Sequence, residues 1–336
     1  MSLLQQLKNN PFVCAPMAGI TDIAFRAFIR EMGSSFVITE LVSASGIEYG
    51  GERTLKLMAF EDSQRPVGVQ LFGESPEIVA KAARFCQEQG ADFVDLNFGC
   101  PVSKVVKKGA GSAILKDLKA VEQMFRTVKS SLSIPLTVKI RTGWTYEQRN
   151  ALELANIAYQ EGLSWVAIHG RDRAQAYKGK ADWEYIGEVK SKSKIPILGN
   201  GDILSGRQAC ERLEKYNLDG VMIGRGCLKN PWIFQDAMAI WQGGSPSENR
   251  DFMAVFAKLK GYLESFTDER LQQIQLKKFA SWFSAGYPGS ASFRKKLFQT
   301  KSVDHTLEEV QCFYQSLKGI QQADTSDDGF LMGGHG

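Results

Sequence analysis

IPILGNGDILSGRQACERLEKYNLDGVMIGR, residues 195–225, holds one complete unit of the fold. Ile195–Leu198 is a short apolar run of strand type, and Asn200-Gly201-Asp202 follows its end. Ser205 is an N-cap residue type and opens a helical stretch that runs to about Tyr216. Gly220–Ile223 is a second apolar run, closed by Gly224-Arg225. Strands that are apolar on both faces and alternate with helices belong to a parallel sheet covered by helices.

The same unit recurs toward the N-terminus, at Phe12–Ala15, Phe36–Thr39, Val67–Leu71, Phe93–Leu96, Leu136–Ile140 and Trp165–Ile168. Helix signals separate these runs. Ser75-Pro76 supplies an N-cap and a first-turn proline, and Gly90 ends that helix. A second spans about Tyr146–Glu161, with Leu154, Ile157 and Ala158 on one face and Gly162 as its stop. Eight such units in about 230 residues favour a closed α/β barrel, the (β/α)8 TIM barrel, over an open doubly wound sheet. The pattern changes after Trp241. Gly243-Gly244-Ser245-Pro246-Ser247 is a linker-like break, and only helical faces follow: Phe252, Val255, Phe256, Leu259 and Leu263; Phe279, Trp282 and Phe283; Val310, Phe313, Tyr314 and Leu317. The expected organisation is a barrel over 1–243, a small all-α domain over 248–320, and a polar, Gly-rich disordered tail over 321–336.

Composition limits the function classes. The chain has 336 residues, 43% hydrophobic and 23% charged, enough for a core and too apolar for disorder. No run of ~18 apolar residues suggests a membrane span, and Met1–Asn10 lacks the apolar core of a signal peptide. Six scattered cysteines form no C-x-x-C pair, which reads as free thiols in a reducing compartment, the cytoplasm. With three histidines, no metal site is expected. Net charge is +4; residues 250–320 carry 11 basic and 7 acidic groups, a balance compatible with a nucleic-acid partner. No feature requires an obligate protein partner.

Barrel active sites form at the C-terminal ends of the strands. Here these ends carry Pro16-Met17-Ala18-Gly19, Glu40, Gln70, Asn97 with Gly99-Cys100-Pro101, Lys139 and Arg141, His169-Gly170-Arg171, Asn200-Gly201-Asp202 and Gly224-Arg225. The last two loops have glycines for close backbone approach and a guanidinium for charge pairing, as a phosphate site requires. Lys139 lies on a strand that points into the barrel. It has two readings, a structural ion pair with Glu40 or Asp202, or a cation beside the pyrimidine end of a flavin. Gln70 suits the same ring edge, and His169 stands at a strand end beside Arg171. Cys14, Cys86, Cys210, Cys227 and Cys312 read as packing residues. Cys100 differs: it sits in a loop past a strand end, followed by Lys104, Lys107 and Lys108. It suits a nucleophile with His169 as base, or a proton donor, since an unperturbed thiol (pKa ~8.5) is mostly protonated at neutral pH.

With these residues the sequence resembles the bacterial tRNA-dihydrouridine synthases, most closely the B type. The motifs are Ala15-Pro16-Met17-Ala18-Gly19-Ile20-Thr21-Asp22, Asp95-Leu96-Asn97-Phe98-Gly99-Cys100-Pro101, Gly109-Ala110-Gly111-Ser112, Lys139-Ile140-Arg141-Thr142-Gly143-Trp144, Ile168-His169-Gly170-Arg171, Gly199-Asn200-Gly201-Asp202-Ile203 and Met222-Ile223-Gly224-Arg225. The resemblance implies non-covalent FMN, NADPH as reductant and a D-loop uridine of tRNA as substrate. It puts FMN contacts at Pro16, Met17, Ala18, Gln70, Lys139, His169, Asn200, Gly201, Asp202, Gly224 and Arg225. Cys100 corresponds to the family's proton donor, Asn97 to a contact with the substrate base, and the C-terminal helices to a tRNA-binding domain. Arg141, Arg171 and the cluster Arg294-Lys295-Lys296 are candidate RNA contacts. One departure is visible: Phe279 stands where the family usually has histidine, which weakens an RNA contact there. The alternative is an FMN barrel acting on a small molecule such as dihydroorotate or an enone, which has no need of the helices after Gly244.

Overall fold

All eight apolar runs are strands in the computed structural model, which describes residues 2–317, 319, 320, 322 and 323. They are β1 (Phe12–Cys14), β2 (Val37–Ser43), β3 (Val67–Phe72), β4 (Phe93–Phe98), β5 (Leu136–Arg141), β6 (Val166–His169), β7 (Ile197–Asn200) and β8 (Gly220–Ile223). All pair in parallel, in the order β1-β8-β7-β6-β5-β4-β3-β2, and curl into a barrel with helices outside. The seam between β1 and β2 is closed by serines rather than a ladder. Ser35 donates to the Phe12 carbonyl from its N–H at 3.0 Å and its hydroxyl at 2.9 Å, and Cys14 N–H donates to Ser34 Oγ at 2.9 Å.

Register decides which residues reach the interior. Cα partners across a parallel ladder face the same side, and side chains alternate along each strand. The rows Gln70↔Asp95↔Thr137, Asn97↔Lys139↔Ala167↔Leu198 and Arg141↔His169↔Asn200↔Met222 therefore share the inner face. Leu136, Val138 and Ile140 face the helices instead. The lower interior is a packed plug. Phe36, Phe93 and Trp165 touch one another, with ring centroids 5.4–6.2 Å apart, among Val13, Ile38, Ala167, Leu198 and Met222. Leu7 of the helix Leu3–Asn9 joins this cluster. The rows that carry Gln70, Asp95, Asn97, Lys139, Arg141 and His169 lie above it, so the plug lifts these groups to one end of the barrel.

Gly68 makes room for the plug: a Cβ there would lie 2.3 Å from the Phe93 ring. Overpacking of this kind costs about 1–3 kcal/mol. Gly68→Ala is expected to lower unfolding stability by about that amount in urea titration. An unchanged midpoint would show that the plug yields freely.

The caps at Ser75 and Ser205 form as expected, accepting from Ile78 N–H and Gln208 N–H. The helix expected from Tyr146 starts later, at Ala151. Residues 143–149 instead fold back: Gly143 bridges Arg149, and Asn150 N–H donates to the Thr142 carbonyl at 3.0 Å. A Cβ on Gly143 would lie 2.2 Å from the Gln148 carbonyl oxygen, so the turn requires glycine. Cys312, expected to be packed, is exposed.

Beyond the barrel lie the helices Phe252–Phe266, Glu269–Phe283, Ser290–Leu297 and Val303–Gln315. Phe252, Phe256, Phe283, Phe293 and Tyr314 form their shared aromatic core. The bundle docks on the barrel helix Ile23–Glu31. Phe279 stacks on Phe25 at 5.1 Å, Gln275 Nε2 donates to Asp22 Oδ2 at 2.9 Å, and Tyr262 donates to Glu31 at 2.9 Å. Phe279 is thus part of an apolar joint, which explains a phenylalanine at that place. Of residues 321–336, only Gln322 and Ala323 are among the described residues. Gln322 donates to the carbonyls of Lys229 and Ala285. The rest of the expected disordered tail lies outside the described residues.

Candidate active site

Side chains from β3, β4 and β5 form one connected chain at the barrel mouth. Thr137 Oγ1 donates to Asp95 Oδ1 at 2.6 Å, and Gln70 Nε2 donates to Asp95 Oδ2 at 2.7 Å. Asn97 Nδ2 then donates to Gln70 Oε1 at 2.7 Å. The Asn97 side-chain Oδ1 in turn accepts from the backbone N–H of Gly99 at 3.2 Å and of Cys100 at 2.9 Å. The loop is pinned from the other side by Ser112, whose hydroxyl donates to the Cys100 carbonyl at 2.9 Å. Gly111, at φ +60°, lies under it; a Cβ there would meet the Cys100 carbonyl oxygen at 2.9 Å. All of these contacts hold the Cys100 backbone and leave its thiol for other work.

Charge follows from burial. The Asp95 carboxyl is pushed up to about 6 by burial, against the hydrogen bonds from Gln70 and Thr137 and the attraction of Lys139. Lys139 is brought down to about 8 by burial and then by Arg141, with Asp95 and Cys100 opposing. Burial also pushes the Cys100 thiol up, against the Val102 backbone, Arg141 and Lys139. A raised thiol pKa means a protonated thiol at neutral pH, an acid rather than a nucleophile. His169 is held well below its ordinary value by burial and then by Lys139, Arg141, Arg171 and Arg225, so its imidazole is neutral. No hydrogen bond joins His169 to Cys100 among the described residues; the ring nitrogen lies 3.4 Å from Arg171 Nη1. The general-base pairing weighed for Cys100 has no counterpart here.

The corner made by β7, β8 and β1 gathers the other expected cofactor residues. Asn200 Nδ2 donates to the Met222 carbonyl at 2.7 Å, and Trp183 Nε1 donates to the Gly201 carbonyl at 3.0 Å. Gly201 has φ +131°, and a Cβ there would meet Ala181 Cβ at 2.5 Å. Across from them, the open face of Gly224 looks toward Ala15 and Met17 Sδ at 3.7 and 3.9 Å. Pro16 and Ala18 flank that methionine. Asp202 accepts from Arg171 Nη1 at 2.9 Å and from Ala181 N–H at 2.7 Å.

Two expected RNA contacts are placed differently. Arg141 is 2% exposed and donates to the carbonyls of Gly99, Asp172 and Ala176. Arg171 is 3% exposed and holds Asp202 and the carbonyls of Lys178 and Gly179. Both brace the mouth from within. Asn97 keeps one N–H beyond those already engaged, enough for one contact to a base. Lys295 and Lys296 stand exposed on the helix Ser290–Leu297, beside exposed Phe298.

Asp95 and Tyr177 join the site without having been singled out at the strand ends. Tyr177, 45% exposed, has its ring 5.6 Å from the Arg141 guanidinium and 5.2 Å from that of Arg225. Inward parity with Asn97 was the available signal for Asp95. Tyr177 lies in a long irregular loop and offers none. The cations also bear on what the mouth accepts. Lys139 and Arg141 have no carboxylate within ion-pair distance among the described residues, so the mouth favours an anionic guest.

A family model described as dihydrouridine synthase matches residues 13–318. A probable tRNA-dihydrouridine synthase of Rickettsia bellii is 36% identical over 93% of this chain and 97% of its own. The tRNA-dihydrouridine synthase B of Pseudomonas putida is 33% identical over 96% and 95%, and that of Vibrio cholerae 33% over 93% and 98%. Among solved structures, the histamine dehydrogenase of a Rhizobium species superposes with a TM-score of 0.54 at 11% identity, over 81% of this chain and 49% of that one, a likeness of fold.

Proposed function

The chain belongs to the dihydrouridine synthase family of oxidoreductases acting on tRNA, and on that premise we propose that it uses NADPH and non-covalent FMN to reduce the C5=C6 bond of a D-loop uridine in cytoplasmic tRNA. The observation that carries this reading is the Cys100 loop, its backbone N–H tied through Asn97 and Gln70 to buried Asp95 at a cationic mouth, where burial pushes the thiol up.

The residues present suit such a cofactor. Asn200, Gly201, Gly224 and Arg225 would hold its phosphate, in the loops after β7 and β8. Lys139 and Gln70 would meet the ring edge that becomes anionic on reduction. Met17, between Pro16 and Ala18, and neutral His169 would line its sides. The chemistry that FMN would supply there is hydride donation to the C5=C6 bond at C6.

The chain's own part is positioning and proton transfer. The target base leaves its stack to enter the mouth, where Asn97 has an N–H for it and Tyr177 an exposed ring beside two guanidiniums. Because C5=C6 is conjugated with the C4 carbonyl, negative charge builds at C5 and O4. Cys100 Sγ–H then protonates C5. The small-molecule alternative leaves the C-terminal helices without a task, whereas relatives named for tRNA align over nearly the whole chain.

Purified protein is expected to be yellow and to form dihydrouridine in tRNA from cells lacking this chain, given NADPH. Colourless protein that takes up no FMN on titration overturns the reading.

A further inference from the structure

Behind the mouth, the segments after β4 and β5 surround a cleft of about 450 Å³ lined by Leu115, Lys116, Trp144, Gln148, Arg149 and Asn150, and Arg173 from the loop after β6 stands against its Trp144. Lys116 Nζ lies 3.8 Å from the Trp144 ring centroid and the Arg173 guanidinium 4.3 Å from it. The Arg149 guanidinium lies 4.1 Å from Tyr146 and 4.8 Å from Tyr185. Of these three cations only Arg149 has an ion-pair partner among the described residues, Asp182 at 2.8 Å. The other carboxylates here are Glu147 in the same turn, Glu153 in the first turn of the helix Ala151–Gln160, Asp117 next to Lys116, which accepts from Lys119 and Ala120 N–H, and Asp172 next to Arg173, which accepts from Gln175 N–H; none forms an ion pair with Lys116 or Arg173 among the described residues.

A second observation coincides with this cluster. Buried side-chain polar atoms without a hydrogen-bond partner among the described residues are few, and four belong here: Thr142 Oγ1, Arg149 Nε, Asn150 Oδ1 and Arg173 Nε. Such atoms are costly unless a ligand or water meets them. Asn150 is also the N-cap of Ala151–Gln160 but makes no capping bond; its amide donates to the Leu115 carbonyl at 2.6 Å instead. The Tyr185 hydroxyl oxygen meets the backbone N–H of Ala151 at that helix start. Lys116 and Arg173, without an ion-pair partner among the described residues and set beside unpaired buried polar atoms, favour a phosphate. With Lys116 and Arg173 against the Trp144 ring, an anion suits the cleft better than a stacked base.

The place of the cleft identifies the phosphate's source. In the strand order, β5 lies opposite β1 around the barrel, and the helical bundle docks beside β1 on Ile23–Glu31. Exposed Lys104, Lys107 and Lys108 lie on the cleft's side of the mouth, in the loop after β4. An RNA lying across Cys100 would meet the bundle at one edge and this rim at the other. We propose that the Lys116–Trp144–Arg173 cleft holds a backbone phosphate of the tRNA, a second grip opposite the helical bundle; this rests on the tRNA reading above.

The test uses the full-length flavin-loaded protein with tRNA. Lys116→Gln and the double variant Lys116→Gln/Arg173→Gln avoid Arg149, which braces Asp182. The double variant is expected to weaken tRNA binding by about tenfold or more and to flatten the salt dependence of binding by about one released counterion per lost phosphate contact. NADPH oxidation without RNA should stay at the wild-type rate. Unchanged tRNA affinity and salt slope overturn the cleft proposal. So does a raised KM for NADPH with tRNA affinity intact, which assigns the phosphate to the reductant. If the double variant misfolds, Lys116→Gln alone decides, because that side chain is exposed. Wild-type protein that binds no tRNA fails the tRNA reading itself, a result distinct from loss at the cleft.

Discussion

Cys100→Ala is expected to lower dihydrouridine formation by roughly 10²–10⁴-fold, the usual contribution of a positioned proton donor. Flavin content and NADPH oxidation in the absence of RNA should remain near wild type. The separation is expected because the loop is held through its backbone. Asn97 accepts from the Cys100 N–H, and Ser112 donates to its carbonyl, so removing Sγ leaves the loop in place. Cys100→Ser tests the acid itself, since a hydroxyl fits the space and is a far weaker acid. It should fall nearly as far as alanine. Single-turnover reaction of reduced protein with tRNA, scored by dihydrouridine content, checks both. An alanine variant at full yield would mean that the proton reaches C5 from elsewhere.

Much of this site is legible in the sequence, because the fold puts functional groups where strands end. Apolar runs gave all eight strands to within a few residues, and Ser75 and Ser205 gave two helix starts. The residues that sequence reading placed least well are those whose role depends on neighbours. Arg141 and Arg171 carry the charge of RNA contacts, yet loop carbonyls brought in by residues 172–179 enclose them. Asp95 looks like one more strand residue until register sets it between Gln70 and Thr137. Phe279 departs from the family pattern because Phe25 offers it a stacking partner from another part of the chain. The helix expected at Tyr146 fails for a backbone reason: Gly143 permits a turn so tight that the chain doubles back before it can coil, leaving Tyr146 66% exposed. Periodicity reports burial and cannot report a chain reversal.

Lys139→Met is expected to separate stability from function. Burial holds the Lys139 ammonium at about 8 against an ordinary 10.5, so its charged form is disfavoured in the folded apoprotein. A basic group with a lowered folded pKa opposes folding wherever it is charged, most strongly below pH 8. Methionine, similar in length and uncharged, relieves that cost, and the apoprotein should unfold at a urea concentration equal to or above wild type. The advantage should be largest at pH 7 and shrink between about pH 8 and 10.5. Over that window the folded wild type has released its proton while the unfolded chain still holds it, so wild-type stability rises with pH. FMN binding should move the other way. Loss of a charge-assisted contact of about 1.5–3 kcal/mol weakens affinity by roughly ten- to a hundredfold. Fluorescence titration of apoprotein with FMN, beside urea unfolding at pH 7 and pH 10, reads both arms. A variant that is less stable at pH 7 yet binds FMN as tightly would identify Lys139 as a structural cation, its charge serving Asp95 rather than a cofactor.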